Sequence, residues 1–306
     1  MSLLQGNLEY ILIATISMSI PLILASLGGV FSARSGIMAL GLESMMMTGA
    51  FSAVAGSYAT GSALWGVLIG MLGGALFAFL YGILCIRYKV NQVIAGVGMN
   101  LLALAATTLL TELIWGSKGS SPQVASISVE LDFLKGIPLI GNIIGSQSIL
   151  FLFMVIFIIV GWIILFKTVF GMRLRVVGEN PKAASTMGLK VKQIKYTGVL
   201  ICGVLAGLAG AYLSIDNINL FQKNMTAGRG YIAVVIAILG RYNPFYIVFS
   251  ALIFGFSDAL QIYLQGQGVP SQIMQTIPYF VTLFVLAFGV KHIRPPAGIG
   301  KHEDEH

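Results

Sequence analysis

The chain has 306 residues, of which 57% are hydrophobic and only 9% charged, with a formal net charge of +7 and a mean hydropathy of +0.90. Soluble domains carry roughly a quarter charged residues, and no soluble fold of this length could bury so much apolar surface. The apolar runs are continuous where a transmembrane β-barrel would alternate, and they are about 20 residues long, the length that crosses a hydrocarbon core as helix.

The fold class is therefore an all-α, polytopic transmembrane helical bundle of about 8–10 membrane segments. The first run lacks a basic flank and a small-residue cleavage site, so it reads as a span and not as a signal peptide. Span one covers Tyr10 to Val30, span two Ile37 to Gly56, span three Ala63 to Ile86 and span four Val93 to Ile114. A longer polar stretch, Trp115 to Ser148, precedes span five at Ile149 to Phe166. A basic loop follows, then span six at Tyr196 to Ile215, span eight at Phe245 to Leu264 and span nine at Ile273 to Val290. Between spans six and eight lies YIAVVIAILG, Tyr231 to Gly240. Its length allows about 15 Å of helix, too little to cross. Irregular backbone is tolerated at membrane depth only inside protein or along a cavity, so this segment reads as a loop plus a half-helix. RSGIMALGLES, with glycines and polar residues at the start of span two, is a comparable interruption in the first half.

Lys and Arg concentrate where the positive-inside rule places cytoplasm. Residues 167–195 hold seven Lys/Arg against one Glu, a local charge of +6. Arg87 and Lys89 follow span three, and Lys291 and Arg294 open the tail. These regions, and the C-terminus, are expected inside. Lys118 and Lys135 in the long polar stretch are offset by Glu130 and Asp132, which places that stretch outside. Counting back puts Arg34 inside and the N-terminus outside if span two crosses fully, or the N-terminus inside if it is re-entrant.

Within the basic loop, NPKAASTMG has the marks of a short helix. Asn180 is a good N-cap, Pro181 suits the first helical position, and Gly188 suits the C′ position. A plain topology signal would need scattered cations but not this punctuation.

Ionisable groups inside a membrane are expensive and ask for a reason. Glu43 in span two and Asp258 in span eight are the two such acids, with Arg34, Arg229 and Arg241 as possible partners. Each acid is either a structural clamp between helices or part of a path for a polar solute. Asp258, Gln261 and Gln265 share a helical stripe, as do Gln272 and Gln275, and Asn100, Thr107 and Thr111. Glu43, Asn100, Asp258, Gln261 and Gln275 are thus the candidate path residues. Met45, Met46 and Met47 read as lipid or helix contacts. GVLAGLAGAY in span six and GMLGGALFAF in span three read as close helix packing. Cys85 and Cys202 have no metal-ligand spacing. No G-x-x-x-x-G-K-[ST] phosphate loop, H-E-x-x-H or G-x-S-x-G string occurs, so the chain reads as a transport subunit and not an enzyme. It has no metal site and no cofactor of its own, and nothing points to nucleic acid.

Ala183-Ala184 followed by Gly188 resembles the A-A-x-x-x-G coupling motif of ATP-binding-cassette importer permeases. The longer string GMRLRVVGENPKAASTMGL is similar to that of permeases for ribose, branched-chain amino acids and nucleosides. The segments FSARSGIMALGLESMMMTGAF, NQVIAGVGMNLLAL, MTAGRGYIAVVIAILGRYNPF and FGFSDALQ resemble the nucleoside branch, whose members work with a Bmp-type binding lipoprotein. The chain departs from the family at Lys182, where an acidic residue is usual before the Ala-Ala pair. The resemblance implies one permease domain over residues 1–306, with a cytoplasmic coupling loop at 167–195. Gly178, Glu179, Asn180, Pro181, Lys182, Ala183, Ala184 and Gly188 would dock on an ABC ATPase subunit that binds ATP and Mg, with Ala184 filling a socket sized for a small side chain. It also implies a second, homologous permease, an external binding lipoprotein, and purine or related nucleosides as cargo. The alternatives are a permease for a pentose or other small polar solute, and a stand-alone ion-coupled transporter using Glu43 or Asp258.

Overall fold

The structure, a computed structural model, describes residues 2–127, 145, 147–265, 276–289 and 295–301. The apolar runs form helices α1 (Ser2–Arg34), α2 (Leu42–Thr60), α3 (Ala63–Gly82), α4 (Gln92–Trp115) and α5 (Ile149–Lys167). The basic loop forms α6 (Val169–Glu179) and α7 (Pro181–Thr186). The chain continues with α8 (Val191–Ala211), α9 (Arg229–Leu239), α10 (Pro244–Gln265) and α11 (Ile277–Gly289). Helices α3 and α8 each run on into a π-helical turn, Ile83–Arg87 and Tyr212–Asn217. Among the described residues, six of these helices are long and apolar enough to cross a membrane, namely α1, α3, α4, α5, α8 and α10. The less apolar α2, the short α9 and α11 complete the set.

Helix α2 lies at the centre, between α3 and α8, and α1 lies across α8 and α10. This explains why α2 can carry Glu43, Ser44, Thr48 and Ser57 inside a membrane protein: it is covered by protein, and these side chains are buried. Met45, Met46 and Met47 are buried too, as helix contacts. The glycine-rich faces of α3 and α8 meet backbone to backbone. A Cβ on Gly74 would lie 2.4 Å from the Gly203 carbonyl oxygen and 2.6 Å from the Gly207 Cα. Without a hydrophobic drive between helices in lipid, such close approach is a main source of association.

The chain sorts into two ends. At one end Ser121 donates its backbone N–H to the Phe221 carbonyl (2.9 Å), joining the stretch after α4 to the stretch after α8. At the other lie the end of α1, the start of α4, the whole of α6 and α7, and residues 295–301. The expectations for Gln272, Gln275, Lys135, Glu130, Asp132, Lys291 and Arg294 lie outside the described residues.

Candidate translocation site and coupling element

Two interruptions meet inside the bundle. The first is Ser35–Gly41, where α1 has ended and α2 has not begun. Local turns satisfy part of its backbone, and side chains from other helices hold Met38 and Leu40. The Gln92 side chain accepts from the Met38 N–H (2.9 Å), Tyr81 donates its hydroxyl to the Met38 carbonyl (2.7 Å), and Asn100 donates to the Leu40 carbonyl (3.3 Å). Asn100 also accepts from the Ser44 N–H (2.9 Å) and donates to the Tyr231 hydroxyl (2.7 Å). It stands eight residues into α4, about 12 Å of helical rise, so the interruption dips to membrane depth.

The second is α9. Its N-terminus presents free backbone N–H groups and a partial positive charge. Glu43 answers both. One carboxylate oxygen accepts from the Thr226 hydroxyl (2.5 Å) and the Gly228 N–H (2.9 Å), the other from the Gly230 N–H (2.7 Å). A Cβ on Gly230 would lie 2.4 Å from the Glu43 backbone nitrogen, so the approach requires glycine. Past the other end of α9, Arg34 donates through Nε and Nη2 to the Tyr242 carbonyl, each at 3.2 Å. An anion therefore sits at the N-terminus of the half-helix and a cation beyond its C-terminus, as the helix dipole favours.

The first turn of α9 opens on a cavity of about 400 Å³ between α9, α10 and α11. That size suits a small organic ligand, whose sites span about 300–1,000 Å³. Arg229, Asp258 and Gln261 supply its polar lining, with Ala227, Ile232 and Pro278 beside them. Arg229 Nη2 and Asp258 Oδ2 stand 3.7 Å apart, and both side chains are largely buried. The Arg229 Nε has no hydrogen-bond partner among the described residues.

The structure divides the sequence-derived path residues. Asp258 and Gln261 line one cavity with Arg229. Glu43 and Asn100 are engaged by the backbone of the two interruptions. In the stripe Asn100–Thr107–Thr111 the two threonines are buried and back-bonded to their own helix: Thr107 donates to the Ala103 carbonyl (2.7 Å) and Thr111 to the Thr107 carbonyl (2.6 Å). Of the arginines, Arg229 pairs with an acid, while Arg34 finds carbonyls and Arg241 is exposed. The roles of Arg34, Gln92 and Thr226 went unread, because each serves a partner that only the fold brings near.

The basic loop holds the short helix expected at NPKAASTMG and one further helix before it. Thr168 caps α6, accepting from the Gly171 N–H at 3.2 Å. Gly171, Leu174, Val177 and Gly178 face inward, while Met172 and Arg173 face out. Asn180 then caps α7, its side chain accepting from the Ala183 N–H at 3.0 Å, and Pro181 stands at the first helical position. Gly188 has φ +79°. The Leu189 N–H bonds to the Ala184 carbonyl (3.1 Å) and the Gly188 N–H to the Ser185 carbonyl (2.9 Å), the paired bonds of a Schellman ending. Ala184 is 0% exposed, packed with Val177 and Val191 of its own chain. This corrects the expectation that Ala184 fills a partner's socket. The outward face consists of Lys182, Ala183, Ser185, Thr186 and Met187, the last 74% exposed.

These features define a multi-pass helical membrane protein with a polar cavity at a broken helix and a stiff helix projecting from one end. The chain belongs to the family described as the branched-chain amino acid transport system permease component, whose model matches residues 11–286. The nucleoside ABC transporter permease protein NupC of Lactococcus lactis subsp. cremoris is 37% identical over 307 aligned residues, covering 95% of this chain and 96% of the relative. The guanosine ABC transporter permease protein NupQ of Bacillus subtilis is 36% identical, with 91% of each chain covered. The putative glucose ABC transporter permease protein TsgC13 of Haloferax volcanii is 32% identical, with 90% of each covered.

Proposed function

We propose that this chain is the membrane-spanning permease of an ATP-driven importer for nucleosides, working in the plasma membrane with an ABC ATPase subunit, an external binding lipoprotein and a second, homologous permease. The observation that carries the reading is α7: a capped, glycine-terminated helix that offers Lys182, Ala183, Ser185, Thr186 and Met187 beyond the end of the bundle, a shape suited to docking on a partner. ATP and its Mg are bound by that partner. Relatives named for nucleosides and guanosine match over nine-tenths or more of their length, which supports the cargo class. The Arg229–Asp258–Gln261 cavity suits a neutral solute rich in donors and acceptors. An ion-coupled mechanism finds less support, because Glu43 is 5% exposed and its carboxylate already accepts three hydrogen bonds.

The relative named for glucose keeps a sugar as the second reading. Competition separates them. In proteoliposomes holding the whole complex, excess unlabelled adenosine is expected to suppress uptake of labelled guanosine, and excess glucose is not. Suppression by glucose alone, with labelled glucose accumulating, would replace the nucleoside reading.

In this reading the end holding α7 is cytoplasmic and the end holding residues 115–127 is outside. A cysteine at Gly119 is expected to react with an impermeant thiol reagent on intact cells and one at Ser185 is not. The native Cys85 and Cys202 are buried and give little background. Labelling of Ser185→Cys from outside would invert the orientation. At the cavity, Asp258→Asn keeps the shape but removes the charge opposite Arg229. It is expected to cut uptake severalfold while the complex still assembles. Loss of assembly would make the pair a structural clamp, since breaking a buried ion pair can cost about 3–5 kcal/mol.

A further inference from the structure

Residues 295–301 lie across the junction of the coupling element and the bundle, and nothing above assigns them a role. Their hydrogen bonds run to backbone carbonyls and to two charged side chains. The Gly298 N–H donates to the Gly178 carbonyl (2.8 Å) at the end of α6, and the Gly300 N–H to the Gly36 carbonyl (3.1 Å) in the first interruption. The Ala297 N–H donates to the Glu179 carboxylate at 3.2 Å. Lys195 at the start of α8 is only 2% exposed and donates its ammonium to the Lys301 carbonyl at 2.7 Å. Pro296 and Gly298 are buried, and Ile299 packs against the core.

The fit leaves no slack. A Cβ on Gly298 would lie 2.6 Å from the Gly178 carbonyl oxygen and 2.9 Å from the Pro181 Cδ. A Cβ on Gly178 would lie 2.1 Å from the Arg34 carbonyl oxygen. The end of α6, the strap and the end of α1 thus touch through backbone, and the Pro181 ring at the start of α7 closes on the strap. Close-packed groups of this kind transmit displacement instead of absorbing it. Beyond the junction, Arg34 holds the far end of α9, and the near end of α9 carries Arg229 into the cavity.

Resting on the reading of α7 as the docking helix, we propose that the 295–301 strap is a positioning element for coupling. It clamps α6 and α7 to the Arg34–Gly36 corner, so that movement of the docked helix is delivered to the half-helix and its cavity. Without the strap, α7 still docks, but its movement is lost at the junction.

The test compares solute-stimulated with basal ATP hydrolysis in the purified complex of permeases, ATPase and binding protein, with guanosine as the probe. Gly298→Val pries the strap from Gly178 and Pro181. It is expected to keep ATPase copurification and basal hydrolysis, and to lose both guanosine stimulation and uptake. A chain ending after Pro295 is expected to do the same, and one ending after Lys301 to behave as the full chain. Lys195→Met removes the ammonium donor and is expected to weaken stimulation, with Lys195→Arg restoring part of it. Full stimulation in Gly298→Val and in the chain ending at Pro295 would overturn the proposal. If Gly188→Val then still uncouples, the docking role of α7 stands without the strap. If Gly188→Val is also fully stimulated, that underlying reading has failed. Loss of ATPase copurification in both Gly298→Val and Lys195→Met would overturn the proposal as well, because the strap would then serve assembly.

Discussion

Replacing Glu43 with Gln is expected to unseat the half-helix. The change is nearly isosteric, yet the new side chain would turn an amide NH2 toward donors. At least one of Thr226, Gly228 and Gly230 would lose its acceptor, in a place where Glu43 is only 5% exposed. An unsatisfied buried donor costs about 1–3 kcal/mol, and the lost anion at a partly buried helix terminus adds up to about 2 kcal/mol. A destabilisation of about 3 kcal/mol follows. It is measured as a clear drop in the thermal unfolding midpoint of the detergent-solubilised chain, with Glu43→Asp falling less. An unchanged midpoint with lost uptake would instead make Glu43 a lining residue of the path. An unchanged midpoint with normal uptake would remove it from both roles.

The second large effect is expected at Gly188. Its φ of +79° belongs to the left-handed region, which β-branched residues resist. Nothing lies within 4 Å of a Cβ built there, so the strain is purely in the backbone. Gly188→Val trades the Schellman ending for a frayed last turn, and α7 has only six residues to begin with. The site is exposed and outside the spans, so membrane insertion is expected to survive while guanosine-stimulated ATP hydrolysis and uptake are lost together. Ala184→Arg is expected to give the same loss for another reason: the arginine would have to enter the packing of Val177 and Val191. Lys182→Glu, on the exposed face, is expected to be tolerated unless the partner holds an acidic group there. Full stimulation in both Gly188→Val and Ala184→Arg would reduce the basic loop to a topology signal.

The features legible in the sequence are those whose cause is local. Hydrophobic length placed nearly every span, because the bilayer sets that length. Asn180, Pro181 and Gly188 marked α7 to the residue, because caps are chosen by backbone groups two or three positions away. The half-helix was visible as a run too short to cross. Helix α6 was missed: its inward Leu174, Val177 and Gly178 have helical spacing, and Thr168 is a fair cap, but the arginines between them gave the stretch the look of a loop. What could not be read were partners distant in sequence. Glu43 meets Gly228 and Gly230 across more than 180 residues, and Gly36 meets Gly300 across more than 260. Neither contact leaves a periodic trace. Ala184 shows the limit of motif reading: the small residue was identified, but its neighbour is the chain itself.

The central claim is that ATP hydrolysed on a partner drives a solute through this chain, and accumulation in proteoliposomes tests it most directly. The complex is reconstituted with the binding protein on the outside and ATP and Mg enclosed, and labelled guanosine is followed with ion gradients collapsed by ionophores. The account predicts accumulation above the external concentration that requires enclosed ATP and ignores the ionophores. Accumulation that needs no ATP and disappears when the gradients are collapsed would contradict it and make this an ion-coupled transporter.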